Sequence, residues 1–306
     1  MNIIVAGGAG FIGSHLCEYL LQRGDTVWCI DNLSTGRREN IEHLETNPDF
    51  HFWKWDVREP YGGYDIDRIY NLACPASPKH YMADPLGTIN TCVKGMTNAL
   101  RVGCRVLQAS TSEVYGDPMF PIQDESYFGN VNCFGPRACY DEGKRIAETI
   151  CFEHWDKVEV RVARIFNTYG PRMGRGDGRV VPEFICNALE GKPLVINGDG
   201  HQTRSFCYVD DMVRGLVALM ESEVKTPVNL GNPVEQEVLE LACQVIGDTG
   251  SDSEIAFGPA VQDDPQRRRP DITRAKTLLG WYPTVGMEQG LAKTIEYFKQ
   301  RVASGV

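Results

Sequence analysis

The sequence lacks several features that would place it in common classes of protein. It has no uncharged apolar run long enough to span a bilayer, and no basic segment followed by an apolar leader. Positive charge is scarce, since 31 Lys and Arg stand against 41 Asp and Glu, which gives a net charge of −10. This balance argues against nucleic acid or a membrane as the main partner, and we expect a cytoplasmic protein.

The 11 cysteines form no C-x-x-C pair, which argues against a zinc knuckle or a thioredoxin-like site. Several stand alone in apolar segments, so we expect free thiols in a reducing compartment and no metal site. Internal repeats, low-complexity segments and long flexible linkers are also absent. A chain of 306 residues with 42% hydrophobic content can bury one large core, or a large lobe with a smaller one.

Strand-like and helix-like segments alternate over the first half of the chain. Short apolar runs predict strands, and longer segments with helical spacing predict helices. The predicted strands are 3–6, 27–30, 51–55, 68–72, 106–110 and 158–165, and the predicted helices are 11–23, 86–102 and 140–155. This alternation predicts an α/β fold, a Rossmann-type doubly wound parallel sheet with helices on both faces.

After about residue 167 the composition of the sequence changes. Gly and Pro become frequent, and the predicted strands are shorter. We predict a Rossmann domain over 1–167 with a returning segment near 207–231. Residues 168–206 and 232–306 are predicted to form a smaller, interleaved C-terminal substrate lobe. Without a linker between them, the two lobes should pack closely and form a cleft.

A glycine-rich turn joins the first predicted strand to the first predicted helix. Gly7, Gly10 and Gly13 have the spacing G-x-x-G-x-x-G. The free N–H groups at the start of a helix attract a pyrophosphate, and missing Cβ atoms let the backbone approach it. The turn therefore predicts a bound dinucleotide, which makes the first domain a cofactor-binding one.

Acidic residues end the next two predicted strands. Asp31 can accept hydrogen bonds from ribose hydroxyls and repel a 2′-phosphate, which favours NAD over NADP. Arg37 and Arg38 follow closely and leave NADP open as the alternative. Asp56 is predicted beside the adenine, with a role as a turn cap as its alternative.

Tyr140 and Lys144 are four residues apart on a predicted helix, which puts both on one face. A nearby ammonium and a positive nicotinamide would lower the pKa of the phenol and make it a general base for a sugar hydroxyl. Thr111 and Glu113 follow the strand 106–110, at the edge of a parallel sheet where ligands bind. Thr111 is predicted to hydrogen-bond the reacting oxygen, with a capping role as the alternative.

Eight longer stretches of the sequence carry a resemblance to a known family. They are CPASP at 74–78, STSEVYGDP at 110–118, GPRACYDEGKR at 135–145, RIFNTYGPRM at 164–173, DGRVV at 177–181, QTRSF at 202–206, PVNLGNP at 227–233 and DDPQRRRPDI at 263–272. With these stretches the chain resembles, over essentially its whole length, extended short-chain dehydrogenases acting on nucleotide sugars. More narrowly it resembles the UDP-glucuronic acid decarboxylases, also called UDP-xylose synthases.

The resemblance implies roles for individual residues. It assigns the chemistry to Tyr140, Lys144, Thr111, Glu113 and Arg268, the last chosen from the run 267–269. The residues implied to bind NAD are Gly7, Gly10, Phe11, Ile12, Gly13, Asp31, Asn32, Asp56, Val57, Ala73, Tyr140 and Lys144. Those implied to bind the nucleotide sugar are Pro75, Ser77, Tyr81, Ser112, Asn167, Arg172, Arg179, Val180, Arg204 and Arg268.

One position separates the nearest relatives in this resemblance. Dehydratases of the same type carry Asp after the Thr as the acid for water loss, whereas this chain has Ser112. We therefore expect NAD-dependent decarboxylation of UDP-glucuronic acid to UDP-xylose. The alternatives are a 4,6-dehydratase, a 4-epimerase, release of the 4-keto-pentose, or an NAD-binding protein without chemistry.

Two further expectations come from the resemblance. The segments 196–198 and 179–184 depart from the usual family pattern near the expected nucleotide pocket, which leaves the base identity open. Relatives pair through two helices of each subunit, so a homodimer through the helices at 86–102 and 140–155 is expected.

Overall fold

A computed structural model of the chain describes residues 1–62, 65–259 and 267–303. The stretch Asp263-Asp264-Pro265, one carrier of the resemblance, lies outside these residues. The strands within them are β1 (Asn2–Ala6), β2 (Thr26–Asp31), β3 (Phe50–Lys54), β4 (Arg68–Asn71), β5 (Arg105–Thr111), β6 (Val160–Ile165), β7 (Thr168–Tyr169), β8 (Leu194–Asn197), β9 (Thr203–Ser205), β10 (Cys207–Tyr208), β11 (Val228–Leu230), β12 (Glu235–Glu237), β13 (Ile255–Gly258) and β14 (Arg267–Arg268).

The helices of the described residues alternate with these strands over the first half of the chain. They are α1 (Phe11–Gln22), α2 (Pro78–Tyr81), α3 (Pro85–Arg101), α4 (Ala138–His154), α5 (Val180–Leu189), α6 (Val209–Glu221), α7 (Val238–Thr249), α8 (Thr273–Leu279) and α9 (Met287–Ala303). Three short 3-10 helices complete the list: Arg38–Asn40, Glu42–Leu44 and Ser112–Tyr115. Each predicted strand and helix is present, with bounds that differ by one or two residues.

A seven-stranded parallel sheet forms the centre of the molecule, in the order β11-β6-β5-β4-β1-β2-β3. The order reverses between β1 and β4, where the chain leaves the sheet centre in opposite directions. Such a reversal opens a crevice at the carboxyl ends of the strands. The predicted Rossmann-type doubly wound fold is confirmed, and β11 brings the chain back to this sheet from the second half.

Both faces of the sheet are covered, which explains the continuous apolar runs in its strands. In β1 the side chains of Ile3 and Val5 enter the hydrophobic cluster that also contains residues of α1 and α6. Those of Ile4 and Ala6 enter the cluster on the opposite face, with residues of α3 and α4. The period of two residues along a strand thus buries every side chain of β1 after the first.

The second half of the chain adds small sheets beside the carboxyl ends of the main strands. β9 pairs with β12 on one side and β14 on the other, while β8 pairs with β13 and β7 with β10. The segment after β5 is hydrogen-bonded to the residue that follows β14, because the backbone N–H of Gln123 donates to the carbonyl of Arg269 at 2.9 Å. The side-chain oxygen of Gln123 accepts from the N–H of Arg269 at 2.8 Å. This arrangement fixes where the arginine segment enters the site. Among the described residues, no helix is long and apolar enough to cross a membrane.

Candidate active site

The turn between β1 and α1 has no room for side chains at two of its glycines. A Cβ on Gly13 would lie 2.1 Å from the carbonyl oxygen of Gly7, and one on Gly7 would lie 2.8 Å from the nitrogen of Ala73. Gly7 also has a positive φ of 81°, which favours glycine. At the N-cap, Gly10 has no side chain to occupy the first N–H groups of α1, so they are open to a phosphate. Phe11 and Ile12 follow on the first turn of the helix.

Asp31 ends β2 beside this turn and is almost fully buried. Its carboxylate oxygens accept from the backbone N–H groups of Ala9 at 3.0 Å and Leu33 at 2.8 Å. Burial raises the pKa of Asp31, and the two backbone hydrogen bonds act against that shift. The carboxylate is therefore held in place next to the glycine turn, where an adenosine ribose would bind. A shaped backbone turn with a fixed carboxylate fits a dinucleotide such as NAD.

Arg37 and Arg38, the two residues that kept NADP as an alternative cofactor, make their contacts away from Asp31. Arg37 donates to the backbone carbonyls of Arg172 at 3.3 Å and Met173 at 3.1 Å. Arg38 forms a two-pronged ion pair with Glu45 at 2.9 Å for each contact. Neither guanidinium contacts Asp31, which favours NAD.

Three other residues assigned to the cofactor lie around the same groove. Asn32 donates to Asp56 at 3.1 Å, and Asp56 also accepts from the backbone and side chain of Arg58. The hydrogen bond from Arg58 lowers the pKa of Asp56 to about 2, so this carboxylate stays charged. Asp56 thus performs the turn-capping role that was its alternative. Val57 is buried against Gly95 of α3.

The phenol of Tyr140, near the start of α4, faces the hydroxyl of Thr111 at the end of β5, which acts to lower the pKa of the phenol. The ammonium of Lys144 lies 5.7 Å from the centre of the Tyr140 ring and donates to the carbonyl of Ala109 at 2.8 Å. Thr111 accepts from the N–H of Glu113 at 3.2 Å, so it also caps the short helix after β5. The structure brings these three side chains together at the carboxyl edge of the sheet.

The electrostatic state of the phenol differs from the sequence-based expectation. Burial raises the pKa of Tyr140 well above its usual value, and the nearby hydroxyl of Thr111 acts against that rise. Lys144 by itself therefore does not produce the lowered pKa that the sequence predicts. Desolvation outweighs a cation that is shared with a backbone carbonyl.

A buried ion cluster lies next to the phenol. Glu113 accepts from Arg137 at 2.9 Å on one side and from Arg268 at 2.9 Å and 3.1 Å on the other. Arg268 also donates to the side chain of Asn167 at 3.2 Å. All three charged side chains of this cluster are at most 12% exposed. Two cations around one carboxylate leave a local excess of positive charge, which suits a substrate carboxylate.

Arg137 was not singled out from the sequence, although it stands three residues before Tyr140 in the GPRACY stretch. That spacing of about one helical turn is the signal that could have pointed to it. Asp141, which follows Tyr140 in α4, was also not predicted as a site residue from the sequence. It is almost fully buried, its Oδ1 has no hydrogen-bond partner among the described residues, and burial together with Glu113 raises its pKa.

Tyr81 completes this wall of the site. Its ring stacks on that of Tyr140 at a centroid distance of 5.0 Å and an angle of 9°. Ser77 interacts with His80 at 2.9 Å and so helps to define α2, which carries Tyr81. Pro75 precedes this helix, and Ser112 is buried after Thr111.

Of the other arginines assigned to the substrate, one lies beside the ion cluster. Arg204 in β9 is paired in register with Arg268 in β14, is almost fully buried and donates to the carbonyl of Thr203 at 2.8 Å. Arg179 pairs with Asp177 and lies 5.6 Å above the ring of Phe11, at the glycine turn, just before Val180 opens α5.

Arg172 makes its contacts beside α1 rather than in the ion cluster. It has a positive φ of 68° and pairs with Glu18 of α1, with His43 3.3 Å away. The structure does not bring it to the Tyr140 cluster.

Together the fold and the site define a class of protein: an NAD-dependent enzyme of the extended short-chain dehydrogenase type, with a Tyr–Lys pair and a buried cationic cluster. The family model described as GDP-mannose 4,6 dehydratase matches residues 4–294. A UDP-glucuronic acid decarboxylase 1 of Xenopus tropicalis is 53% identical over 307 residues, which covers 98% of this chain and 73% of the relative. A UDP-glucuronic acid decarboxylase 2 of Arabidopsis thaliana is 53% identical over 308 residues, covering 99% and 69%.

Among solved structures, a UDP-glucuronic acid 4-epimerase of Bacillus cereus superposes with a TM-score of 0.89 at 30% identity, covering 98% of this chain and 100% of the other. That structure is a tyrosine-to-phenylalanine mutant in complex with UDP-4-deoxy-4-fluoro-glucuronic acid and NAD. The chain belongs to the family of nucleotide-sugar dehydratases, epimerases and decarboxylases that these matches define, with the UDP-glucuronic acid decarboxylases as relatives over nearly its full length. The predicted family and the predicted NAD cofactor are confirmed.

Proposed function

We propose that this chain decarboxylates UDP-glucuronic acid to UDP-xylose with NAD as a regenerated cofactor. The observation that carries the proposal is the contact between the phenol site and the ion cluster. Tyr140 with Thr111 suits the removal of a proton from a sugar hydroxyl. Arg137 and Arg268, with Glu113 between them, suit a carboxylate one ring position away. The names of the relatives at 53% identity support the same reaction.

The glycine turn and Asp31 would hold NAD, the first through backbone N–H groups on the pyrophosphate and the second through ribose hydroxyls. When bound, NAD supplies the acceptor and later the donor of the C4 hydride, together with a positive charge that favours the phenolate. This charge is needed because burial raises the pKa of Tyr140 in the protein alone.

The side chains of the chain then handle protons and charge. The phenolate oxygen of Tyr140 accepts the proton of the C4 hydroxyl, while Thr111 hydrogen-bonds the same oxygen. C4 becomes a ketone, which places the C6 carboxylate β to a carbonyl. The C5–C6 bond breaks, carbon dioxide leaves, and the electron pair passes to the C4 oxygen as an enolate. A proton from solvent would be added at C5 to give the 4-keto-pentose, and during its reduction at C4 the phenol of Tyr140 would return its proton to the C4 oxygen.

The ion cluster would position the uronate carboxylate for this step. Glu113 binds both guanidinium groups, and Arg268 also donates to Asn167, so the two cations are held in fixed positions beside the phenol. Ser112 stands where a dehydratase carries an acid, and a hydroxyl cannot take that role at neutral pH. This favours loss of carbon dioxide over loss of water.

Two features of organisation are part of the proposal. The Rossmann part of the chain (1–167 with 207–231) would hold the cofactor, and the remaining lobe (168–206 with 232–306) the nucleotide sugar. A homodimer would form through α3 and α4, which pack on each other and leave Leu86 72% and Phe152 59% exposed. We also propose a cytoplasmic location.

Incubation with NAD and UDP-glucuronic acid labelled at C6 tests the reaction. We expect release of labelled carbon dioxide and a product with the mass of UDP-xylose. A 4-epimerase would leave the mass unchanged and a 4,6-dehydratase would remove water, so either result overturns the proposal. NADH and a 4-keto-pentose in equal amounts would show that the final reduction fails, while the decarboxylation stands.

A further inference from the structure

Two thiols lie in contact beside the Tyr–Lys pair. The Sγ of Cys74, in the segment after β4, lies 3.4 Å from the Sγ of Cys92 in α3. Cys92 is 3% exposed, whereas Cys74 is partly open. Neither thiol has a part in the reaction proposed above.

We propose that Cys74 and Cys92 are a redox modification site, at which a reversible disulfide forms and inactivates the enzyme. The inactivation rests on the proposed function, but the formation of the bond does not. Both sulfurs touch the elements that carry the chemistry. Cys74 packs against Tyr81 and Tyr140.

Cys92 faces the helix of the catalytic pair at a point where the packing is tight. A Cβ on Gly143 would lie 3.2 Å from the Sγ of Cys92. Gly143 lies between Tyr140 and Lys144 in α4. A movement of the Cys92 side chain therefore changes the packing of the turn of α4 that carries Tyr140 and Lys144.

The bond requires the sulfurs to approach. Sulfurs in a disulfide are about 2.05 Å apart, so the 3.4 Å contact must close by about 1.4 Å. This movement draws α3 and the segment after β4 together, and the ring of Tyr140 and the backbone at Gly143 lose their packing partners. A shift of about 1 Å in a catalytic group lowers rates by about 100-fold.

Electrostatics favours a thiolate within the pair. The nearby ammonium of Lys144 acts to lower the pKa of both Cys92 and Cys74, and burial acts against it. Either sulfur can donate the hydrogen bond between them, so one reacts with the oxidant as a thiolate and the other is the resolving thiol.

Hydrogen peroxide is an oxidant small enough to enter through the side of Cys74. One sulfur of the pair attacks the O–O bond, which breaks, and a sulfenic acid and hydroxide form. The other sulfur then attacks the sulfenic acid sulfur, the S–S bond forms, the S–O bond breaks and the oxygen leaves as water. One peroxide and two thiols give one disulfide and two waters.

The chain contains its own comparison. Cys17 and Cys29 also interact with each other, under the glycine turn, but both are 0% exposed. Because the described residues leave neither thiol any exposed surface, the pair is shielded from peroxide in the folded protein. Its two thiols should stay reduced under conditions that oxidise Cys74 and Cys92.

The test treats the purified protein with hydrogen peroxide, blocks free thiols and analyses unreduced peptides by mass spectrometry. We expect a peptide pair linked through Cys74 and Cys92, about 2 Da lighter than the two reduced peptides. Free thiols should be recovered at Cys17 and Cys29. Turnover of UDP-glucuronic acid by the same sample should fall by at least about tenfold and return with dithiothreitol.

Two variants sharpen the result. Cys92→Ser should keep the turnover of the untreated protein and resist peroxide, whereas Cys243→Ser, which changes an exposed thiol on α7, should be inactivated like the wild type. Absence of the linked peptide overturns the site. A linked peptide without loss of turnover, or equal inactivation of Cys92→Ser, overturns the inactivation. If the untreated wild type has no decarboxylase activity, the proposed function fails, and the linked peptide still decides the site.

Discussion

Replacing Gly13 by alanine tests the glycine turn, because the added methyl group has only backbone around it. It would lie 2.1 Å from the carbonyl oxygen of Gly7 and 2.8 Å from the Cα of Gly8. An ordinary contact is at least 3.4 Å, so α1 must move away from the turn by about 1.3 Å. No side chain can rotate to relieve the overlap.

Two opposing terms set the magnitude. Overpacking of this kind costs about 1–3 kcal/mol, while alanine in a helix gains about 1 kcal/mol over glycine. The difference is a net loss of up to about 2 kcal/mol in the free energy of unfolding. The helix start that faces the pyrophosphate moves by a similar distance, so NAD affinity should fall by at least about tenfold, equivalent to about 1.4 kcal/mol.

A matched control is available in the same chain. Gly247 lies inside α7, and a Cβ there would have no atom of the described residues within 4 Å, apart from its own chain neighbours and helix backbone. Gly247→Ala should therefore stabilise the protein by about 0.5–1 kcal/mol and leave NAD binding unchanged. Urea unfolding measures the first quantity, and the NAD content of the purified protein with calorimetric titration measures the second. Wild-type NAD affinity in Gly13→Ala, or a stability shift of the same sign in both variants, would refute the reasoning.

Three further outcomes are expected. Tyr140→Phe should lower kcat by about 1,000-fold with an unchanged melting temperature, since it removes only the proton acceptor; a loss below tenfold in product formation would contradict that role. Arg137→Lys keeps the charge but loses the fork on Glu113, so kcat/KM for UDP-glucuronic acid should fall about tenfold while UDP affinity stays constant; an equal loss for UDP would place Arg137 at the nucleotide. Burial lowers the pKa of His15 to about 4, against about 6.5 when unfolded. The free energy of unfolding therefore keeps the full contribution of the neutral imidazole above about pH 6.5. It falls by roughly 3 kcal/mol as the pH decreases from there towards 4, because the unfolded chain binds the proton first. His15→Gln should flatten that slope in urea unfolding, and an unchanged slope would count against the buried neutral imidazole.

Local parts of the site could be predicted from the sequence because their geometry is local. The glycine turn lies between β1 and α1, and its spacing alone fixes which residues lack room for a Cβ. Tyr140 and Lys144 are one helical turn apart, so their common face follows from the period of the helix. The strands of the parallel sheet were predictable for a related reason, since burial on both faces makes them continuous apolar runs.

Contacts between distant segments were harder to predict. Arg172 was expected at the substrate, yet it pairs with Glu18 of α1. The sequence shows that an arginine is present, but the backbone at Arg172 has a positive φ of 68°. No sequence pattern around Arg172 predicts this conformation, and so none predicts its ion-pair partner. Arg137 shows the opposite case, since only the folded chain brings Glu113 to it from the end of β5.

The run of three arginines at 267–269 shows how pairing between strands assigns roles to identical side chains. Alternate residues of an extended segment point to opposite sides, so Arg268 must face away from its two neighbours. Arg267 and Arg269 both pair with Glu235, at 2.5 Å and 3.4 Å, on the outer side. Arg268 is left to face inwards to Glu113, at 2.9 Å. Glu235 thus holds the two arginines that face away from the ion cluster, and Arg268 is the one of the three that joins it.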